Sequence, residues 1–356
     1  MINRRDLLLA GGAAALAGCA AARGPLVAGR ETLNIVSTPN PNVFPLLLAM
    51  TLDPALAVRL LPVREAGDAD ALFASGDAHA LVAMTYMGAR KRVAGAIPSL
   101  RLHSVTTWRG FFEVAPEGVS SFRDLRGRTV VVSGPVGSGR EGGGDIIFRA
   151  AARRQGVESS RDLRVEYMPS AQGMAEVAAG RAMGITLPGP GNTGLVMRSR
   201  MAKNPAAAAM MRNRPDRPTQ IVPLHSAIDF QRVFSGFRSF PKGQLPLGGL
   251  HVSEHIFDRA DLRAKLAEVS RAWDLAATRL MSDPARHAPA VASAFGNYFA
   301  AVGAGGTPSA LIEAAVRAGD LVYRADLALE NVGSDLRSWL GELIGRDVDV
   351  AFLGSR

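Results

Sequence analysis

Two stretches of the chain, residues 33–84 and 129–187, repeat one order of elements, and this repeat is the strongest constraint on the fold. In the first stretch, 33–38 (LNIVST) reads as a strand, 39–45 as a turn and helix start, 43–52 as a helix and 57–63 (AVRLLPV) as a second strand. Residues 70–75 follow as a short helix stopped by Gly76, and 80–84 (ALVAM) as a buried strand ending at Thr85 and Tyr86. In the second stretch, 129–132 (TVVV) is a strand and 145–154 a helix with Ile146, Ile147, Ala150 and Ala151 on one face. A strand over 163–167 (LRVEY), a short helix over 172–179 stopped by Gly180, and a strand over 185–187 complete the repeat, which breaks into Pro188, Gly189, Pro190 and Gly191. Alternation of strand and helix predicts parallel pairing, so the expected class is α/β: two similar lobes with mostly parallel sheets flanked by helices.

The rest of the chain connects and covers these lobes. Residues 100–105 and 111–115 read as strands that carry the chain from one lobe to the other, and Ser120 or Ser121 caps a short helix at 122–127. After the second repeat come a helix over 192–203, a strand over 219–224 suited to crossing back, and a strand over 247–253. Helices are expected over 262–281, 285–302, 309–317 and 334–344, packed on the first lobe. The expected division is therefore 31–112 for the first part of lobe 1, 113–222 for lobe 2 and 223–356 for the second part of lobe 1 with the C-terminal helices.

The first residues address the compartment. Arg4 and Arg5 precede a short apolar segment at 7–17, and Cys19, the single cysteine of the chain, follows Leu16, Ala17 and Gly18. The apolar segment is too short to span a bilayer. Residues 3–9 resemble a twin-arginine export signal and 16–19 resemble the lipobox of a bacterial lipoprotein. The resemblance implies a signal peptide over 1–18, lipidation of Cys19, a small-residue tether over 19–30, and a periplasmic or cell-surface, membrane-anchored protein. One cysteine leaves no internal disulfide.

Composition narrows the partners. The formal net charge of +9 falls by one when residues 1–18, with Arg4, Arg5 and Asp6, are removed. The basic residues are spread along the chain rather than gathered in one long run and aromatics make up only 6%, which argues against a nucleic-acid surface with its clustered cations and stacking rings. The positive balance favours an anionic ligand.

Residues 129–144 (TVVVSGPVGSGREGGG) carry the clearest site signal. A strand that passes through glycines into a helix leaves backbone N–H groups unpaired beside the positive end of the helix dipole, a place for an anion or a polar head group. Gly137, Gly139 and Gly142 satisfy the dinucleotide fingerprint, with Glu166 at the expected distance, but in so glycine-rich a chain that match is weak. Gly134 and Gly139 have P-loop spacing, yet Arg140 and Glu141 stand where Lys and Ser or Thr are required, so nucleotide hydrolysis is not expected. A turn that binds a ligand without chemistry needs only the backbone geometry, as does a tight turn without a ligand.

Two catalytic motifs fail on local structure. His251 and His255 fit the H-x-x-E-H pattern of inverted zinc peptidases, but 248–252 reads as a strand with Ser253 capping the next helix, so the histidines do not share a helix face. Ser239 and Lys242 match S-x-x-K with Pro241 breaking the helix that pattern needs. His79, His103, His225 and His287 are isolated in sequence. No catalytic residue, metal or cofactor is expected. Ligand candidates are strand ends, where open α/β sheets bind: Ser37, Thr38 and Pro39 in the first repeat, with Thr85, Tyr86 and Trp108. From the second repeat come Ser133, Val136, Gly137, Ser138 and Gly139, with Gly189 and Asn192. Arg109 and Arg140 are available to supply charge to an anion.

With these elements placed, the chain resembles the substrate-binding proteins of ABC importers with the type II periplasmic-binding fold, in the branch associated with nitrate, taurine, alkanesulfonates and thiamine precursors. The residues carrying this are 72–77 (LFASGD) with 80–86, and 121–133 (SFRDLRGRTVVVS) with Gly137 and Gly139. Gly142, Gly143 and Gly144, and the Pro188 to Gly191 run, depart from the family pattern and bear on the ligand class. The resemblance implies a monomeric, membrane-tethered receptor that captures a small polar or anionic solute between two lobes and delivers it to an ABC permease and its ATPase. The alternatives are an exported α/β hydrolase or transferase, and the solute receptor of a tripartite transporter.

Overall fold

The computed structural model describes residues 32–65, 67–134, 139–203 and 222–354. The expected signal peptide and tether with Cys19, the candidates Val136, Gly137 and Ser138, and the 219–221 part of the expected crossing strand lie outside the described residues.

The first repeat forms β1 (Leu33–Ser37), α1 (Phe44–Leu52), β2 (Val58–Pro62), α2 (Asp68–Ala74) and β3 (Ala80–Met84). A 310 turn, Pro41–Val43, leads into α1 and is capped by Asn40, whose side chain accepts from the Asn42 N–H at 2.9 Å. Then α3 (Thr85–Val93), β4 (Leu100–Arg109) and β5 (Phe111–Pro116) carry the chain across. The second repeat is β6 (Thr129–Gly134), α4 (Gly143–Arg154), the single turn α5 (Ser159–Asp162), β7 (Arg164–Pro169), α6 (Ser170–Ala178) and β8 (Gly184–Pro188). Next come α7 (Gly189–Lys203), β9 (Leu224–Asp229), the single turn α8 (Phe230–Val233) and β10 (Gly248–Ser253). The chain closes with α9 (Ala260–Ser282), α10 (Pro284–Phe299), α11 (Ser309–Arg317), β11 (Val322–Tyr323) and α12 (Leu329–Ile344).

These strands make a six-stranded sheet of order β11-β4-β10-β3-β1-β2 and a five-stranded sheet of order β7-β6-β8-β5-β9. The repeat is visible in both. A parallel triplet, β2-β1-β3 in one and β7-β6-β8 in the other, is flanked beside its third strand by an antiparallel strand, β10 or β5. The short helices α2 and α6 both end before a left-handed glycine, Gly76 at φ 78° and Gly180 at φ 73°, where a side chain would be strained.

Several expectations change. The sheets are mixed rather than mostly parallel, because β10 and β5 run back against the triplets, and β4 and β9 in turn pair antiparallel with them. Phe111 and Phe112 already belong to the second sheet, as does β9, which lies beyond residue 222 and pairs with β5. Thr85 and Tyr86 open the helix α3 rather than end a strand. Its sequence, TYMGARKRV, has weak apolar periodicity, and its Gly88 is there for a neighbour: a Cβ would lie 2.2 Å from the His251 ring. The run from Pro188 to Gly191 likewise passes straight into α7, since a proline in the first helical turn forfeits no hydrogen bond.

The C-terminal helices do not all pack on the first sheet. α9 buries Leu262, Leu266, Val269, Trp273 and Leu280 at helical spacing and covers α1, with α10 beside it. Each such large side chain contributes roughly 1.5–3 kcal/mol on burial. That cover explains why α1, FPLLLAMTL, is apolar nearly all round. By contrast α12 lies against both α3 and α4, and α11 reaches α7. One apolar cluster therefore runs from Tyr86 through Trp339 to Ile147 and Phe148, joining the two sheets' helices.

Candidate functional site

A cavity of about 280 Å³ lies between the two sheets, at the carboxyl ends of their parallel strands. From the first sheet it takes Thr38, Pro39, Asn40 and Pro41 after β1, and Met84 and Met87 where β3 passes into α3. The second sheet supplies Ser133 from β6, Gly142, Gly143 and Gly144 at the start of α4, Ser170 after β7 and Pro188 at the end of β8. Phe111 lies between, and Arg140, Glu141, Glu65 and Lys91 bring charge to the margins.

Local chemistry holds these walls. The loop after β1 is pinned where the Tyr323 hydroxyl donates to the Pro41 carbonyl at 2.7 Å. Asn42, buried beneath it, donates to Met84 Sδ at 3.5 Å. On the far wall the glycines are needed for close approach: a Cβ on Gly144 would stand 3.0 Å from the Ser133 carbonyl oxygen, and one on Gly143 3.1 Å from Met84 Cγ. The start of α4 is thus pressed onto β6 on one side and onto the first sheet's methionines on the other. Lys91 is buried and paired with Asp70, which fixes a charged corner of the first wall.

The sequence candidates separate into two groups. Thr38, Pro39 and Ser133 come together in the cavity. Ser37 is buried behind it with its hydroxyl donating to the Thr38 carbonyl at 2.8 Å. Thr85 donates to the Pro246 carbonyl at 2.5 Å, Tyr86 donates to the Gly143 carbonyl at 2.8 Å, and both side chains are buried. Trp108 sits in the core, edge-on to Phe240 with ring centroids 6.3 Å apart. Gly139 backs onto Tyr167, where a Cβ would come within 2.4 Å of the tyrosine Cβ. Gly189 is pressed against the Asp320 carbonyl, and Asn192 donates to Asp320 at 2.8 Å while accepting from Ser226 at 2.8 Å. Arg109 is engaged by Asp229 at 2.6 Å and by the Gly243 carbonyl at 2.8 Å. Arg140 lies over the Tyr167 ring, 5.6 Å from its centroid, at the cavity edge.

Sequence reasoning passed over Met84, Met87 and Phe111, which give the cavity much of its apolar wall, because they read as ordinary core residues. It also passed over the Arg90 and Glu141 pair. Arg90 of α3 donates to the Glu141 carboxylate at 2.5 Å and to its carbonyl at 2.8 Å, joining the first sheet's helix to the loop before α4. The Arg90 hydrogen bond holds the Glu141 carboxyl below the usual range. Glu141 has φ 65°, the one non-glycine residue with positive φ among those described, and its N–H is held by buried Asp145 at 2.8 Å. Asp145 also accepts from Arg149 at 2.8 Å and from the Tyr167 hydroxyl at 2.9 Å. The one available signal was Arg-Glu beside three glycines, and it does not name a partner 51 residues away.

The catalytic motifs are apart. His251 is on β10 and His255 in the 310 turn Glu254–Ile256, so no helix face carries both. Among the described residues no group of His, Cys, Asp and Glu is arranged to hold a metal ion. Among the described residues the cavity lining contains neither His nor Cys, and the Ser133 hydroxyl is committed to the Thr186 carbonyl at 2.6 Å.

No protein-family model and no curated protein matches the chain. Solved structures do. An ABC transporter protein from Parabacteroides distasonis is similar with a TM-score of 0.61 at 13% identity, over 92% of this chain and 100% of that one. The periplasmic aliphatic sulphonate binding protein of Escherichia coli is similar with a TM-score of 0.61 at 12% identity, over 92% and 93%. The alkanesulfonate-binding protein of Xanthomonas axonopodis pv. citri, solved with bound MOPS, is similar with a TM-score of 0.54 at 14% identity, over 92% and 99%. The chain has the periplasmic-binding-protein fold of these structures, over nearly their whole length.

Proposed function

We propose that this protein is the solute-binding component of an ABC import system, taking a small solute into the cavity between its two sheets and presenting it to a permease. The observation that carries the reading is the cavity itself: strand ends of both repeats converge on one 280 Å³ space, as two lobes closing on a ligand require. The lobes in this reading are the two sheets with their helices, meeting at Gly110, whose N–H, like that of Phe111, is held by the buried Gln231 side chain at 3.1 and 3.3 Å. A lining of Met84, Met87, Phe111 and prolines beside Thr38, Ser133, Ser170 and Arg140 suits a solute with an anionic or polar head and a short apolar body. The named ligands of the sulfonate-binding structures have that character. The engaged Ser133 hydroxyl, with neither His nor Cys among the described lining residues, supports a receptor over a hydrolase. We assign the extracytoplasmic location, the acyl anchor on Cys19, the 19–30 tether and the monomeric state to the same reading.

A thermal-shift screen over taurine, alkanesulfonates including MOPS, nitrate, pyrimidines and dicarboxylates tests it. A solute that binds only the folded protein stabilises it by about 2.7 kcal/mol at 100 times its dissociation constant. Gly143→Leu places a side chain against Met84 and Met87 and is expected to abolish that shift in a protein that still melts cooperatively. A solute response unchanged in Gly143→Leu sinks the assignment of this cavity.

A further inference from the structure

A second cavity, of about 510 Å³, opens on the outer side of the wall formed by Arg140 and Glu141. It is lined by Arg90 from α3, Arg140 from the loop before α4, Arg149 from α4 and Arg346 just beyond α12, with Glu141 and Asp145 as the acidic groups. Four guanidinium groups thus face two carboxylates. The carboxylates are already committed: Glu141 to Arg90 at 2.5 Å, and Asp145 to Arg149 at 2.8 Å. Arg140 lies over the face of the Tyr167 ring and its charge acts on the neighbouring Glu141 carboxylate without a direct ion pair, and Arg346 is exposed; among the described residues no carboxylate is within ion-pairing distance of either.

Four like charges gathered from separate elements around one concavity repel one another while it is empty, and they focus a positive potential on it. Guanidinium forks are also matched in geometry to tetrahedral oxyanions, which accept two parallel N–H bonds from each. We propose that this cavity is a second binding site, distinct from the solute cleft, for a compact oxyanion of the phosphate or sulfate type. Glu141 is the internal competitor at this site. An oxyanion that engages Arg140 and Arg346 also reaches Arg90 and displaces the Glu141 carboxylate, so occupancy exchanges a direct tie between α3 and the α4 loop for one bridged by the anion.

The test is calorimetric titration of the full-length protein with inorganic phosphate at constant ionic strength. Saturable binding is expected for the wild type, about tenfold weaker in Arg346→Gln, since a charge-assisted hydrogen bond is lost. Tighter binding is expected in Glu141→Gln, which removes the competitor and half of the negative charge. Absence of saturable binding, or equal affinity in wild type and Arg346→Gln, overturns the proposal. Arg346 does not line the solute cleft, so the solute-induced melting shift is expected to survive Arg346→Gln, and the two readings fail separately. Sedimentation with phosphatidylglycerol vesicles identifies the source of the oxyanion once binding is seen. Vesicle binding that requires Arg346 and is competed by phosphate assigns a lipid head group, and vesicle binding indifferent to Arg346 assigns the free ion.

Discussion

The Tyr86 hydroxyl donates a 2.8 Å hydrogen bond to the main-chain carbonyl of Gly143, tying the first turn of α3 to the first turn of α4 across the two sheets. The tyrosine ring is fully buried and stands edge-on to Trp339 of α12, with centroids 5.8 Å apart. One side chain therefore links the helix that opens the first wall of the cavity, the helix that opens the second, and the C-terminal helix that packs on both.

Tyr86→Phe removes that link while keeping the ring. It is expected to cost about 1 kcal/mol of stability, the usual net value of one hydrogen bond. Urea denaturation checks the magnitude. Hydrogen exchange at the start of α4 is expected to accelerate more than exchange in β1, and equal acceleration throughout contradicts a local tie.

Glu113 titrates inside the second sheet. It is fully buried on β5, accepts from the Thr186 hydroxyl at 2.7 Å, and burial pushes its carboxyl well above the ordinary value of 4.5. The folded protein therefore keeps a proton that the unfolded chain releases above about pH 4.5. Stability contributed this way is complete below that pH and is lost as pH rises toward the folded value. Glu113→Gln does not ionise, so it is expected to be more stable than the wild type at pH 8, with the difference shrinking toward pH 4. Denaturation midpoints at three pH values measure this; a difference that grows on acidification contradicts it.

His251 works in the opposite direction. Its ring is buried on β10 under Gly88, its Nδ1 donates to the Leu81 carbonyl at 3.3 Å, and burial lowers its pKa from 6.5 to about 4. The neutral ring favours the folded state above pH 6.5, and that stability is lost as pH falls through about 4. The shift corresponds to about 3 kcal/mol. His251→Gln is expected to flatten the acid limb of the stability profile between those values. An acid limb of unchanged slope in the variant rules His251 out as its source.

The anchor prediction concerns Cys19. Acylation at this residue is expected to place the wild-type protein in the membrane fraction, and Cys19→Ala to release it to the soluble periplasm or leave it as precursor. Fractionation with a membrane and a periplasmic marker decides; wild-type protein found wholly in the soluble fraction removes the anchor from the account.

Much of the fold was legible in the residues because its signals are local. The apolar runs of β1, β3 and β6, the spacing of α9 and α11, and the glycines that stop α2 and α6 depend only on nearby chain, so element order and the internal repeat could be read directly. The place of the cavity followed from that order, since parallel strand ends face a crevice wherever such sheets meet. What tertiary structure alone decided was pairing between distant segments. Nothing near Trp108 says that Phe240 covers it, nothing near Gly88 announces His251, and the weakly periodic TYMGARKRV becomes a helix because it packs under α12 and against β4. The same holds for Arg90 and Glu141. Charges on the surface carry no periodicity that records a partner, and only the approach of α3 to α4, set by the apolar cluster around Tyr86, Trp339 and Phe148, brings them within 2.5 Å.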